Sequence, residues 1–456
     1  MFRMNRLFAF FLLLFFEGVA GTTYQVLFIR QFSSSIGNNA EFTGIIICVF
    51  LGAMSLGYKV GGRDNDSPLR TLGLNFLIMS GFGGVMASSS ISGAFLTNPL
   101  IESSHLRLFV YSIFSVGLTA YFVAQSLPLL LQYKQDGESP ASQSGNALFI
   151  STIGSMIGAG LPLPLLAPLI GASATLSFLC IASTAVGCAL LLKYRLTPFG
   201  VFAIVFAILG VVAPVTPYIK SHVDGSAFTS TTYNDVYLRD DNDVLIMEMN
   251  NARMSMRFKS GGSASSYVHY INHQLKLLGK TNKNVLVLGA GGFQIHEGDK
   301  DNHYTYVDID SELLDWAGSY FGVNKEEVNL VAKDARAFLD ENPSKWDVIV
   351  LDVFSSADSI PAHLMTLEFF SLVKSRIGPD GLFVANTVTS GGFRDKLSQK
   401  LYNTIHASFP FCQVQQTLAG NETQLNNVVY TCFSHGSDKG LYRDDKRARH
   451  SDFTKT

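Results

Sequence analysis

Seven apolar runs fill the first half of the chain and constrain it most. They lie near residues 7–29, 42–58, 71–91, 107–131, 147–169, 172–192 and 197–217. Each is long enough to cross about 30 Å of hydrocarbon as a helix. Between them lie charged, turn-forming stretches such as "YKVGGRDNDSPLR" and "QYKQDGESPASQSGN". The first run begins with Arg3 and Arg6, as a secretory leader would. It stays apolar to about Ile29 and more spans follow, so a retained first helix is expected. No long repeat signals a two-fold transporter.

The charges divide the chain near residue 219. Residues 1–219 carry 10 Lys/Arg and 7 Asp/Glu; the remainder carries 24 and 29. The net charge of −2 therefore averages two unlike halves, and no basic stripe points to nucleic acid. An odd number of crossings places the two ends on opposite sides. The N-terminal side collects Arg3, Arg6, Lys59, Arg63, Arg70, Lys134, Lys193 and Arg195; the other collects Arg30 and Arg107, with Lys220 just beyond the last run. Basic loops mark the cytoplasm. A plasma-membrane protein of the bacterial inner-membrane kind is expected, with its N-terminus inside and its soluble half outside. One helix more or fewer would reverse that placement.

Some residues in the apolar half carry chemistry. Glu17 lies inside the first run. It is either a buried acid bonded to a neighbouring helix or part of a proton or substrate path. The glycines of "GSMIGAG" (Gly154, Gly158, Gly160) permit close helix packing. Cys48, Cys180 and Cys188 lie within runs and read as small apolar residues. Cys412 and Cys432 flank a polar stretch between two strand-like segments. A hairpin centred near residue 422 would bring them face to face, as a disulfide or as two buried thiols.

The second half alternates strands and helices. "TYNDVYL", "DVLIMEM" and "RMSMRF" read as a small antiparallel unit, and a helix is expected over 265–278. Strands follow near 284–289, 303–309, 328–331, 347–352 and 381–386. Helices fall near 311–320, 335–341, 362–377 and 391–407, and a hairpin over 411–433 closes the sheet. This order implies a mostly parallel sheet covered on both faces. Ligands of such sheets bind beyond the carboxyl ends of the strands. Gly289, Gly291 and Gly292 follow the first strand there. Asp308 ends the second, where a carboxylate can accept two ribose hydroxyls. Asp334 follows the third, near an adenine edge, and Asp352 ends the fourth, on the substrate side. The pattern G-x-G-x-x-G fails at Gln294, which argues against a dinucleotide held by its pyrophosphate. A phosphate-free S-adenosyl compound fits better.

At these residues the chain resembles the spermidine synthase (polyamine aminopropyltransferase) family, in its membrane-fused bacterial branch. The motifs are "YVDID", "KDARAFL" and "WDVIVLDVFSSADSIPAHLMTLEFFSLVKSRIGPDGLFVAN", with looser likeness in "YQVLFIRQF" and "FLGAMSLGYKVGGR". The implied fold is an α-helical multi-span membrane domain over 1–219, then a β unit with a connecting helix over 220–282. An α/β Rossmann-like, methyltransferase-type domain over 283–435 and a disordered tail over 436–456 complete it. The resemblance implies that Asp308 holds the ribose, Asp334 and Ala335 hold adenine, and Asp352 helps deprotonate an attacking amine. Tyr233-Asn234 resembles the family's Tyr-Gln pair with a shortened amide. The departures are as specific. Gly292 stands where the family has an acid near the aminopropyl group. Ser355 replaces a second polyamine-gripping Asp, with Asp358 close by. The Tyr-His-Glu motif survives only as Tyr267-Val268-His269, and the helix after the glycine loop is short and polar, "FQIHEGDKDN".

The implied reaction passes an aminopropyl group from decarboxylated S-adenosylmethionine to an amine, without metal. Expected partners are that nucleoside donor, a polyamine and the lipid bilayer; a homo-oligomer is compatible. Two other readings stay open. One is methyl transfer from S-adenosylmethionine. The other is a catalytically degenerate nucleoside-binding or interaction domain, since S-adenosyl donors are made in the cytoplasm and the charge count places this half outside.

Overall fold

The computed structural model describes residues 2–434, apart from short stretches at 37–39, 97, 99, 102, 133–138, 225, 251, 278, 280, 354–360, 391, 394 and 418–424. Ser355, Asp358 and the tail expected over 436–456 thus lie outside the described residues.

The first half is helical. Helix α1 (Phe2–Ile36) is followed by long helices at Ala40–Gly61, Pro68–Ala87, Pro140–Gly160, Ala172–Leu191 and Pro198–Val212. The segment 104–131 is helical throughout, with a π-helical turn at Ile113–Gly117. Among the described residues six helices are long and apolar enough to cross a membrane. A seventh crossing requires counting Pro140–Gly160 and Pro162–Ile170 as one bent span. Pro162 and Pro164 stand at that 41° break, where they cannot donate the hydrogen bonds of a regular helix. The last apolar helix continues through Thr216–Asp224, past the expected end at 219.

Glycines set the closest helix contacts. A Cβ on Gly154 would lie 2.2 Å from the Phe15 carbonyl oxygen, and one on Gly158 2.3 Å from that of Val19. Both therefore let α1 approach backbone to backbone, whereas Gly160 faces open space. Glu17 is buried in this contact and accepts a 2.8 Å hydrogen bond from Ser151 Oγ.

The second half begins with four antiparallel strands, β1 (Ala227–Ser230), β2 (Asp235–Asp241), β3 (Val244–Met249) and β4 (Ala252–Phe258). The first is too short to show alternation in the sequence. A helix at Ser266–Leu277 leads to β5 (Asn284–Leu288), β6 (His303–Asp308), β7 (Asn329–Ala332), β8 (Trp346–Leu351), β9 (Ile377–Ser390), β10 (Cys412–Gln416) and β11 (Leu425–Phe433). Their order is β10-β11-β9-β8-β5-β6-β7. β5 to β9 run parallel to one another, and β11 is antiparallel between β9 and β10. This is the Rossmann-like arrangement of the methyltransferase type.

Central strands buried on both faces are expected to be almost wholly apolar, as "NVLVL" and "WDVIVL" are. Val285, Val287, Val348 and Val350 enter the core on one face. Leu286, Leu288, Ile349 and Leu351 enter that on the other. Each side chain so buried contributes roughly 1.5–3 kcal/mol.

Three local features depart from the sequence reading. The segment "FQIHEGDKDN" forms turns, because Phe293 and Ile295 are both drawn into the core beside β5. The helix expected over 362–377 is split into a 3₁₀ turn at Ala362–Leu364 and a helix at Leu367–Arg376, capped by Thr366. The helix expected from 391 starts at Lys396, where Asp395 accepts the Ser398 N–H. The hairpin pairs Cys412 with Cys432 in register, and the two form a disulfide.

The two halves meet at the C-terminal end of α1. Arg30 is buried there and makes a 3.1 Å ion pair with Asp235. Its guanidinium also donates to the carbonyls of Thr231 and Thr232. Ser89, just past the end of the Pro68–Ala87 helix, bonds the Tyr237 hydroxyl at 2.8 Å. The N–H of Ser173, at the start of the Ala172–Leu191 helix, donates to Ser230 Oγ.

Candidate functional site

A cavity of about 540 Å³ opens at the carboxyl ends of the parallel strands. Gly289, Gly291, Asp308, Asp334, Ala335 and Asp352 line it together. Tyr233 and Asn234 enter from the turn between β1 and β2.

The glycine turn is tight because the chain reverses against β8. Gly289 has φ +92°, and a Cβ there would lie 2.3 Å from the Asp352 carbonyl oxygen. Only glycine fits without displacing the backbone. Gly291 also has positive φ, +49°. Gly292 is different and does not line the cavity. Its N–H donates to Ser255 Oγ at 2.9 Å, and a Cβ would press on Ser255 and Phe321. Its amide is thus engaged by β4, against which the residue packs. An acid at this position would have no room.

Asp308 sits at the end of β6 and stitches the turns together. Its Oδ2 accepts the Ala290 N–H at 2.8 Å, and its Oδ1 accepts the Asp310 N–H at 2.9 Å. Burial pushes its carboxyl up to about 6, against the pull of those amides. Each oxygen retains a lone pair for a ligand hydroxyl. Asp334 caps the Ala335–Glu341 helix, where Oδ1 accepts the N–H groups of Arg336 and Ala337. Its Oδ2 faces His363 Nε2 at 2.9 Å. Burial raises this carboxyl, but the amides and His363 outweigh it and hold it below the usual carboxylate range.

Asp352 ends β8. It accepts hydrogen bonds from the Tyr267 hydroxyl at 3.1 Å and from Asn386 Nδ2 at 2.8 Å. Burial pushes the carboxyl up, opposed by these two donors. Burial beside Asp352 also raises the Tyr267 hydroxyl well above its ordinary value, so it stays a donor. Asn234 is engaged more closely than expected. Its Nδ2 donates to Asp310 at 2.8 Å, and its Oδ1 accepts from Asn250. Asp310 also accepts from Thr231 Oγ1 at 2.6 Å.

Three participants escaped the sequence reading: Asp310, His363 and Asn386. All three lie within the quoted motifs: "YVDID" contains Asp310, and the long motif from Trp346 contains His363 and ends at Asn386. Among the described residues no cluster of His, Cys, Asp and Glu could hold a metal.

Residues 264–434 match the family model of the spermine/spermidine synthase domain. Within the C-terminal half, residues 264–434 are a spermine/spermidine synthase domain. Its curated relatives include a probable polyamine aminopropyl transferase of Bifidobacterium longum, 25% identical over 215 residues, which span 46% of this chain and 48% of the relative. Another is thermospermine synthase ACAULIS5 of Arabidopsis thaliana, 29% identical over 157 residues, 32% of this chain and 46% of the relative. The chain thus spans about half the length of the curated relatives it matches. Among solved structures, a probable spermidine synthase from Corynebacterium glutamicum aligns with a TM-score of 0.41 at 18% identity, over 46% of this chain and 80% of that one. The glycine turn and the strand-end aspartates lie within the matched residues, and the helical half lies outside them.

Proposed function

We propose that the synthase domain transfers an aminopropyl group from decarboxylated S-adenosylmethionine to an amine, and that the helical half anchors it in a membrane. The observation that carries this reading is the convergence of Asp308, Asp334 and Asp352 on one cavity beside the glycine turn. Asp308 would accept the ribose hydroxyls. Asp334 and Ala335 would border adenine, with Tyr233 and Asn234 across the cavity. The amine nitrogen attacks the carbon bonded to the sulfonium. A C–N bond forms, the C–S bond breaks, and its electron pair returns to sulfur as methylthioadenosine leaves. Asp352 accepts the proton released by the amine. Holding both reactants at one rim supplies much of the acceleration. The relatives' names point to polyamine chemistry in those proteins.

Contacts at the helix ends support seven crossings. The C-terminal ends of α1 and of Pro68–Ala87, and the N-terminal end of Ala172–Leu191, all meet the synthase half. Alternating crossings satisfy all three only if the bent pair counts as one. The N-terminus and the synthase domain then lie on opposite sides, and the basic loops assign the N-terminal side to the cytoplasm.

The Cys412–Cys432 disulfide agrees with an oxidising compartment for the domain. It also favours a second reading: a nucleoside-binding domain without turnover, because S-adenosyl donors are made in the cytoplasm. Release of methylthioadenosine by the purified full chain, given decarboxylated S-adenosylmethionine and a panel of amines, separates the two. Turnover is expected, and Asp352→Asn should reduce it by about 10²-fold or more. Unchanged turnover in that variant would reject Asp352 as the base.

A further inference from the structure

The cavity has a wall that the proposed reaction leaves unused. Val26, Ile29 and Ser33 of α1 line it, three and four residues apart, so one stripe of the helix faces the site. Leu163, from the bent break, joins them, as do Met249 and Met254 of the β unit. Five of these six side chains are apolar. The charged residue that α1 adds to the lining is Arg30, whose guanidinium is occupied by Asp235 and two backbone carbonyls. No carboxylate enters the cavity from this wall among the described residues.

A polyamine carries a cation every few carbons, and each ammonium removed from water needs a partner. The cavity's carboxylates among the described residues come from the synthase sheet and not from α1, and each already accepts hydrogen bonds. Asp308 holds the Ala290 and Asp310 amides, while Asp334 caps a helix and faces His363. Among the described residues, Asp352, held by Tyr267 and Asn386, is the carboxylate assigned to meet an amine at the reacting end.

We propose that the acceptor is one primary amine on an apolar body, held by the α1 stripe. This deepens the aminopropyl-transfer reading and rests on it. The same displacement yields a secondary amine still attached to its apolar body. Such an amine can be a membrane aminolipid or a soluble alkylamine.

The test uses the full chain in nanodiscs with decarboxylated S-adenosylmethionine, following methylthioadenosine release. Acceptors are putrescine, spermidine and the primary alkylamines from butylamine to octylamine. A parallel arm compares nanodiscs of phosphatidylcholine alone with nanodiscs containing phosphatidylethanolamine. The specificity constant should rise up to about fourfold per added methylene, the equivalent of ~0.8 kcal/mol per buried CH₂. Ile29→Ala should flatten that rise, with folding checked by circular dichroism and melting temperature. Turnover on phosphatidylethanolamine without added amine would identify the lipid as the source; turnover on alkylamines alone would identify a soluble one. A preference for putrescine or spermidine with a flat alkylamine series overturns the acceptor class and leaves aminopropyl transfer standing. No release with any amine overturns both.

Discussion

Asp352 is tuned by neighbours distant in sequence. Burial raises its carboxyl, while Asn386 and Tyr267 pull it down. Removing the Asn386 donor leaves burial less opposed, so the carboxyl should titrate at higher pH. A base must be ionised to accept a proton, and activity falls as pH drops through the carboxyl's pKa. Asn386→Ala should therefore move the acid limb of the kcat/KM profile to higher pH; an unmoved limb would reject the assignment. The three rim aspartates were legible in the sequence because each ends or follows a strand whose apolar run could be recognised. Their partners were not. Asn386 is 34 residues from Asp352, His363 is 29 from Asp334, and Asp310 is 76 from Asn234. Only the tertiary fold makes these residues neighbours. The contact of Gly292 is likewise hidden in the sequence: its N–H donates to Ser255 of β4.

Among the elements, α1 does two jobs. Gly154 and Gly158 bring it against the Pro140–Gly160 helix, and its far end holds the turn that carries Tyr233 and Asn234. Arg30→Ala would leave buried Asp235 without its ion pair; the other Asp235 oxygen already lacks a partner. Breaking one side of a buried pair costs about 3–5 kcal/mol. The variant should melt well below the wild type in detergent, and Arg30→Lys should recover part of the loss. Equal melting temperatures would contradict the role given to this contact. Long apolar runs made the helices readable, and alternating apolar segments did so for most strands. Helix starts at Leu367 and Lys396 were less readable, since they depend on the capping side chains of Thr366 and Asp395. The turns after β5 look helical in the sequence because nothing local reveals that Phe293 and Ile295 plunge into the core.

At the scale of the whole molecule, a synthase domain sits on the ends of a helical bundle, and their junction borders the cavity. Composition separates the two halves clearly, but the contact between them depends on a few polar residues, Arg30, Ser89 and Ser173, that carry no pattern. Seven crossings predict that reporters fused to the two termini signal from opposite sides, with the C-terminal one outside the cytoplasm. Signals from the same side would refute the seven-crossing topology. The central claim is that carboxylates at the sheet rim grip a phosphate-free adenosine. Titration calorimetry of methylthioadenosine into the purified full chain near neutral pH, for wild type and Asp308→Asn, tests it most directly. Hydrogen bonds to a charged group contribute about 1.5–3 kcal/mol, so the variant should bind roughly tenfold to a hundredfold more weakly. No binding by folded wild type, or equal affinity in both proteins, would contradict the account.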